Sequence, residues 1–330
     1  MKAWLLDDFR GLDQLHLADV PDPTPADDEV VIDLEYAALN PADRHLAQGE
    51  YPAHPKLPHI LGRDGIGIIS AVGKNVEQYH LGQRVLIIRG DTGVNRWGTL
   101  AQRVSVSAQS LALPPAGWSV QESAGAALVY LTAHQALTQW GDLPPSVVLI
   151  TGASGGVGVA TLQLAKAFEH TVVALSRDET KRGKLIELGA DHVVDPADSS
   201  WPVKLKQTLS PRRVDLAIDN IGGPMFSQVI ETLGLFAKMS LVGRLAGPVP
   251  NFNTATLFFR RIRIGGVAIS TFTPADARSA WESSLNLLTR TGAKPIVDRV
   301  FSFDQLRPAF DRLTAGPMGK VLIEIRTPIQ

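Results

Sequence analysis

The sequence predicts an α/β chain in which a doubly wound parallel sheet follows an antiparallel β domain. Three observations carry this. The first is Val147-Val148-Leu149-Ile150-Thr151-Gly152-Ala153-Ser154-Gly155-Gly156-Val157-Gly158, which leads straight into the amphipathic run Val159 to Phe168. An apolar run, a glycine-rich turn and a helix pattern open a dinucleotide-binding βαβ unit. The glycines let the backbone turn tightly and approach a pyrophosphate, whose charge rests on the N–H groups at the helix N-terminus. The second is the alternation of short apolar runs and helix patterns from Val147 onward. The third is the different texture of residues 1 to 118, where short strand-like runs are separated by prolines.

In that first region Glu29 to Tyr36 alternates, with Val30, Ile32, Leu34 and Tyr36 on one face. Ile66 to Val72, Arg84 to Ile88 and Leu100 to Val106 read as similar strands, and Pro21, Pro23, Pro25, Pro41, Pro52, Pro55 and Pro58 punctuate the connections. The pattern fits a partly closed antiparallel domain better than a βαβ array. At Ser119 it changes: Ser119 and Glu122 form a capping box, and the run to Trp140 reads as one long helix. Further strands are expected at Thr171 to Leu175, His192 to Val194, Val214 to Ile218, Lys238 to Val242 and Arg263 to Val267, with a helix ending near Gly189. With the Val147 run they make six parallel strands. After Pro274 come a helix to Thr291, a strand Pro295 to Phe301, a short helix Phe303 to Leu313 and a strand Lys320 to Ile325. That tail is too small to fold alone and is expected to complete the N-terminal domain. The expected spans are 1–118, 119–270 and 271–330.

At 330 residues the chain is long enough for two cores. A formal net charge of −1 with no dense basic run argues against nucleic acid as a partner. Arg260-Arg261-Ile262-Arg263 is the nearest approach to a basic patch and reads as a charged strand edge. Met1 to Arg10 carries two aspartates in place of a signal peptide's apolar core, and the longest apolar run, around Ala124 to Ala133, is too short to span a bilayer. A soluble, cytoplasmic protein is expected. The absence of cysteine excludes disulfides and thiolate metal sites.

The glycine segment also reads Thr-Gly-x-x-x-Gly-x-Gly, but a short-chain dehydrogenase is a poor match. The motif lies far into the chain, and none of Tyr36, Tyr51, Tyr79 and Tyr130 has a lysine four residues on. Instead the chain resembles the medium-chain dehydrogenase/reductase superfamily, in its zinc-free quinone oxidoreductase branch. The resemblance rests on Asn40-Pro41-Ala42-Asp43, Gly49-Glu50-Tyr51-Pro52, Gly62-Arg63-Asp64-Gly65-Ile66-Gly67, Leu131-Thr132-Ala133, the glycine motif, Leu188-Gly189-Ala190-Asp191 and Gly319-Lys320-Val321. It implies a GroES-like barrel as catalytic domain, a Rossmann domain, and a cofactor in the cleft between them.

It also implies the loss of zinc. Asn40 stands at the first cysteine's place, Gly62-Arg63-Asp64 replaces Gly-His-Glu, and an apolar residue near Leu128 falls where the last ligand would be. Arg63 is a permanent cation and cannot ligate metal. His54 and His59 flank a proline-rich loop that offers no third ligand. Without a Lewis acid, alcohol oxidation is disfavoured, whereas a quinone or enone accepts hydride with only hydrogen bonds to its oxygen.

Tyr51 matches the cleft tyrosine of quinone reductases, as a donor to the acceptor oxygen or as loop packing. Asn40 is a second donor candidate or a turn residue; Asp43 is expected to brace the helix after Pro41. Arg63 is read as an ion pair with Asp64 or Asp43, or as a substrate clamp. Thr132 matches a threonine near the nicotinamide, or bonds back within its helix.

Ser154, Gly155, Gly156 and Val157 are expected at the pyrophosphate. Beyond the second parallel strand, Ser176, Arg177 and Lys181, with Arg182, suggest a 2′-phosphate pocket and NADPH over NADH. Against this, Ser176 with Glu179 is also a capping box, and Asp178 is read as lying past the strand. Asn220, Val242, Gly243, Val267, Ala268 and Ile269 end later strands and should meet ribose and carboxamide. Lys320 matches a position near the cofactor, or is an exposed strand lysine. A sixth strand from Arg260 to Ile269 leaves an unpaired edge, which in this superfamily commonly pairs with its twin in a homodimer. The reading is an NADPH-dependent reductase of quinones or α,β-unsaturated carbonyls. Alternatives are an alcohol dehydrogenase of the same superfamily or a low-activity NADPH-binding protein, crystallin-like or a sensor.

Overall fold

The computed structural model describes residues 1–248 and 252–326. The chain divides into two compact units. One holds Met1–Leu128, Ser270–Trp281 and Lys294–Gln330; the other holds Val129–Ile269 and Glu282–Ala293. The first boundary thus falls ten residues after the change of texture at Ser119. The segment between them forms the helix Val120–Ala124, which packs on the strands Glu29–Ala38 and Asp64–Val72.

The first unit is built on strand Glu29–Ala38, which is paired on both sides and buried along nearly its whole length. Its sheet runs Val297–Ser302, Lys320–Glu324, Glu29–Ala38, Asp64–Val72, Arg84–Ile87, Leu111–Ala112, and Arg103–Ser107 also pairs with Glu29–Ala38. All pairings are antiparallel except that of Val297–Ser302 with Lys320–Glu324. Lys2–Leu6, Leu15–Asp19 and His59–Ile60 make a smaller antiparallel sheet. The central strand feeds two cores: Val30, Ile32 and Leu34 pack with Ile69, Val85 and Val104, while Ala37 packs with Leu6, Leu61 and Phe310. Val321 and Ile323 of the strand Lys320–Glu324 are buried in the second of these cores, and their burial, about 1.5–3 kcal/mol each, helps hold that strand in place.

Antiparallel register brings Lys320 to the end of the central strand. Leu322 faces Ala38, so the chain just beyond each pairs Lys320 with the neighbourhood of Asn40. The long helix expected from Ser119 to Trp140 is broken into Val120–Ala124 and Ala127–Thr138. The capping box at Ser119 is present. The break answers residues distant in sequence: a Cβ on Gly125 would lie 3.0 Å from Lys320 Cβ and Cγ, and Leu128 N is turned to donate to Asp64 Oδ1 at 3.2 Å.

The second unit is a six-stranded parallel sheet. Its order is His192–Val194, Thr171–Leu175, Val147–Ile150, Val214–Asp219, Leu233–Leu241, Arg263–Gly266. The chain begins in the middle and reverses direction across Val147–Ile150 and Val214–Asp219, the switch point where dinucleotides bind in such sheets. Val147, Leu149, Val173, Trp201, Phe226 and Met239 are among its core residues.

The basic segment differs from expectation. Arg260 closes the helix Ala255–Arg260, and its Nη1 donates to the carbonyl of Leu233 at 2.6 Å. Arg261 is left-handed with φ 53° and ends that helix. Only Arg263 lies in the strand, which stops at Gly266, while Ile269 opens a 3-10 turn. Among the described residues no helix is long and apolar enough to cross a membrane.

Candidate active site

Two constellations stand out, one in each unit. In the parallel-sheet unit Gly152 adopts φ 59° immediately after the strand Val147–Ile150, and Gly155 caps the helix Gly156–Ala167. A Cβ on Gly158 would sit 2.3 Å from the carbonyl oxygen of Gly152, so only glycine lets the helix start pack on the turn. Ser154, Gly155, Gly156 and Val157 are half-buried there, and the first-turn N–H groups have no partner within the helix.

Beside this turn, Asp219 Oδ1 accepts from Thr151 Oγ1 at 2.7 Å and from the N–H groups of Ile221 and Gly222 at 3.0 Å each. Asn220 Nδ2 donates to the carbonyl of Thr151 at 2.8 Å. Asp219 Oδ2 and Asn220 Oδ1 are buried without a hydrogen-bond partner. Two orphaned acceptors beside a glycine cradle suit a ligand carrying hydroxyl or amide donors, since unpaired buried polar atoms are costly. The residues present therefore fit a dinucleotide. Asp219 was missed by the sequence reading; a carboxylate closing the expected strand Val214 to Ile218 was the available signal.

The N–H groups of Val242 and Gly243 donate to the Asp219 carbonyl, Val267 N to the Leu241 carbonyl, and Ala268 N to Gln135 Oε1. The N–H groups of these four positions are thus engaged within the unit. Ile269 is buried. Thr132 lies half-buried on the helix Ala127–Thr138.

At the end of Thr171–Leu175, Ser176 is buried and Arg177 exposed. The helix Glu179–Glu187 is capped by Asp178, whose Oδ1 accepts from Lys181 N at 3.0 Å, and not by Ser176. That backbone N–H also holds the Asp178 carboxyl below its ordinary range. Arg182 braces the turn: Nη1 donates to the carbonyls of Ser176 and Arg177 at 2.9 and 3.0 Å, and pairs with Asp195 at 3.1 Å. Arg177 is exposed beside this turn, and Lys181 Nζ lies 4.0 Å from Asp178 Oδ2.

The second constellation lies in the antiparallel unit. Lys320 is 4% exposed, not a surface lysine. Its ammonium donates to Asn40 Oδ1 at 2.7 Å and to Asp64 Oδ2 at 3.1 Å. Asn40 Nδ2 in turn donates to Asp64 Oδ2 at 3.0 Å and to the carbonyl of Ala38 at 3.3 Å. Both amide hydrogens of Asn40 are thereby committed, and the donor role toward a substrate expected of it is not available in this arrangement. Asp43 braces the helix Pro41–Ala47 by accepting from Asn40 N at 2.8 Å. Burial raises the Asp43 carboxyl to about 6, against the opposing pull of the Asn40 N–H, Arg63 and Lys320.

Arg63 makes no ion pair with Asp64 or Asp43, contrary to expectation, because Lys320 already answers Asp64. Its Nη1 donates to the Tyr51 hydroxyl at 3.1 Å, and its Cζ lies 5.9 Å from the centre of the Tyr51 ring. Tyr51 is half-buried, its ring packed against the core around Trp4 and Leu61. His54 stacks edge-on against Phe9, and His59 is buried.

Residues 26–116 match the family described as alcohol dehydrogenase GroES-like domain, and residues 156–293 the family described as zinc-binding dehydrogenase. The chain belongs to the medium-chain dehydrogenase/reductase superfamily of oxidoreductases. Among relatives, the human synaptic vesicle membrane protein VAT-1 homolog is 30% identical over 76% of this chain. The alignment spans 64% of that protein's own length, and 62% of its rat counterpart's. A quinone oxidoreductase of Lama guanicoe is 26% identical, covering 99% of this chain and 98% of the relative. An acryloyl-coenzyme A reductase of Sulfurisphaera tokodaii is 27% identical over 93% and 96%. The solved structure of an NAD-dependent alcohol dehydrogenase superimposes with TM-score 0.91 at 28% identity, covering 99% of this chain and all of that one.

A zinc ion does not fit the positions where this superfamily's metal ligands were expected. Zinc takes deprotonated lone-pair donors. Asn40 and Asp64 instead face an ammonium, Arg63 is a cation, and Leu128 is apolar. Among the described residues no cluster of three or more His, Cys, Asp and Glu side chains is placed to hold a metal.

Proposed function

We propose that this chain is an NADPH-dependent reductase that delivers hydride to a quinone or an α,β-unsaturated carbonyl without zinc. The observation that carries this reading is the buried Lys320–Asn40–Asp64 cluster: an ammonium holds two of the side chains that, by the resemblance, stand at the metal-ligand places of a zinc alcohol dehydrogenase. An acceptor that is already electrophilic needs only positioning and a hydrogen bond at the oxygen where charge develops. Bound NADPH supplies the hydride. Tyr51 is the donor to the acceptor oxygen, and Thr132 lines the nicotinamide. Ser154 to Val157 hold the pyrophosphate, while Asp219 and Asn220 take ribose or carboxamide donors. Ser176, Arg177 and Lys181 receive the 2′-phosphate, the charge-assisted contact that favours NADPH over NADH. The relatives named for quinone and acryloyl-thioester reduction support the acceptor class.

Leu235 and Phe236, on the strand that pairs with the edge strand Arg263–Gly266, and Phe258 and Phe259, on the helix just before it, are exposed, and these apolar side chains support a homodimer. A second reading, alcohol oxidation with NAD, draws on the structure named an NAD-dependent alcohol dehydrogenase. Initial rates separate the two: 1,4-benzoquinone, 9,10-phenanthrenequinone and a 2-enone with NADPH and NADH, against primary and secondary alcohols with the oxidised cofactors. Turnover of a quinone or enone preferring NADPH is expected. Alcohol oxidation alone, or faster turnover with NADH, would overturn the proposal.

A further inference from the structure

Arg63 is a half-buried guanidinium next in sequence to the buried carboxylate of Asp64. Arg63 does not pair with Asp64, since Lys320 and Leu128 N take the two oxygens of that carboxylate. The cation is turned instead to Tyr51, with Nη1 at 3.1 Å from the phenol oxygen. The Tyr51 ring is fixed at its other end by the apolar core. Two consequences follow from that one hydrogen bond. A phenol oxygen that accepts from a guanidinium has a lone pair filled on that side, so its own hydrogen points elsewhere and the group is left as a donor. A phenol that gives up its proton becomes an oxyanion, and here an N–H of a permanent cation already stands at hydrogen-bonding distance from the oxygen that would carry the charge.

We propose that Arg63 is a positioning residue that fixes Tyr51 as proton donor and holds the negative charge left on its oxygen. This rests on the reading of Tyr51 as donor to the acceptor oxygen. In the step it serves, hydride adds to the β-carbon of an enone, the C=C π pair becomes the new bond between the α-carbon and the carbonyl carbon, and the C=O π pair moves onto the oxygen. The Tyr51 O–H bond breaks, its proton passes to that oxygen, and its electron pair stays on Tyr51 beside Arg63 Nη1. Solvent then returns a proton to Tyr51, and the enol tautomerises to the saturated carbonyl. No redox partner beyond the reduced nicotinamide is required.

The test is a mutant cycle with NADPH and a 2-enone, comparing wild type, Tyr51→Phe, Arg63→Leu and the double variant, with Arg63→Lys as the conservative rescue. Arg63→Leu should lower kcat by about tenfold to a hundredfold, the factor for one charge-assisted hydrogen bond, with KM for NADPH unchanged. Its solvent deuterium isotope effect on kcat should rise, because proton delivery becomes slower relative to the other steps. A merely structural role would not move that effect. In the Tyr51→Phe background the same change should have no further cost, and Arg63→Lys should recover part of the rate. If Arg63→Leu does not fold, Arg63→Gln, which keeps a shorter N–H donor, completes the cycle. Loss in Tyr51→Phe with full activity in the Arg63 variant overturns this proposal and leaves Tyr51 as donor. Full losses that multiply in the double variant also overturn it. Full activity in Tyr51→Phe overturns the reading beneath it.

Discussion

Asp43 makes the antiparallel unit pH-sensitive in a direction that can be worked out in advance. The carboxyl is 1% exposed, Oδ2 accepts from Asn40 N at 2.8 Å, and Oδ1 is buried with no partner. Unfolded, it ionises at its ordinary value of 3.8; folded, burial raises it to about 6. The folded chain therefore holds a proton that the unfolded chain has lost between those two values, and stability falls as pH rises through that window. A gap of about two units at 1.36 kcal/mol each is a penalty of about 3 kcal/mol, absent below pH 4 and complete above pH 6. Asp43→Asn removes the ionisation while keeping an acceptor for Asn40 N. The difference in melting temperature between Asp43→Asn and wild type should then shift in favour of the variant by about 6–12 °C between pH 4 and pH 7, at about 2–4 °C per kcal/mol. Thermal melts of both proteins across that range supply the measurement, and the other carboxylates cancel in the difference. A difference independent of pH, or one that turns against the variant as pH rises, would refute the burial argument.

The remaining expectations concern charge, cofactor and assembly. Lys320→Met leaves Asp64 buried without its cation and should cost about 3–5 kcal/mol in denaturant unfolding, whereas Lys320→Met combined with Asp64→Asn should recover much of that loss; equal losses in the two would show that the pair is not the source. Arg177→Ala or Lys181→Ala should weaken NADPH binding by about 1.5–3 kcal/mol in a fluorescence titration and leave NADH binding nearly unchanged. Equal losses for both cofactors would remove the 2′-phosphate assignment. Light scattering at micromolar concentration should give the mass of a dimer, which Phe259→Arg should reduce to that of a monomer; a monomeric wild type rejects the apolar patch as an interface.

Much of the parallel-sheet unit was legible because its signals are local. The Gly152 to Gly158 spacing and the apolar runs from Val147 to Leu175 depend on neighbours in sequence, and the strands formed where those runs lie. The helix break at Gly125 was not legible, because it answers Lys320, which arrives from the far end of the chain. The same long-range arrival decided the partner of Arg63. From sequence Asp64 or Asp43 was the expected counter-ion, and only the strand Lys320–Glu324 beside Glu29–Ala38 brings in the ammonium that answers Asp64. Asn40 shows the limit from the other side. Its residue type suits a substrate donor, but its amide hydrogens go to Asp64 and the Ala38 carbonyl and its oxygen accepts from Lys320, and a linear pattern places neither Asp64 nor Lys320 nearby. Arg260 to Arg263 illustrates a different failure: a charge run fits a helix end as well as a strand edge, and the carbonyl of Leu233 settled which one formed.

Hydride transfer to the acceptor is the centre of this account, and isotope tracing tests it most directly. The enzyme is supplied with NADPH deuterated at C4 and a 2-enone, and the product is analysed by mass spectrometry and NMR. Direct delivery predicts one deuterium at the β-carbon of the saturated carbonyl when one C4 face is labelled and none when the other is. Consumption of NADPH with no deuterium in the product from either labelled face would contradict it.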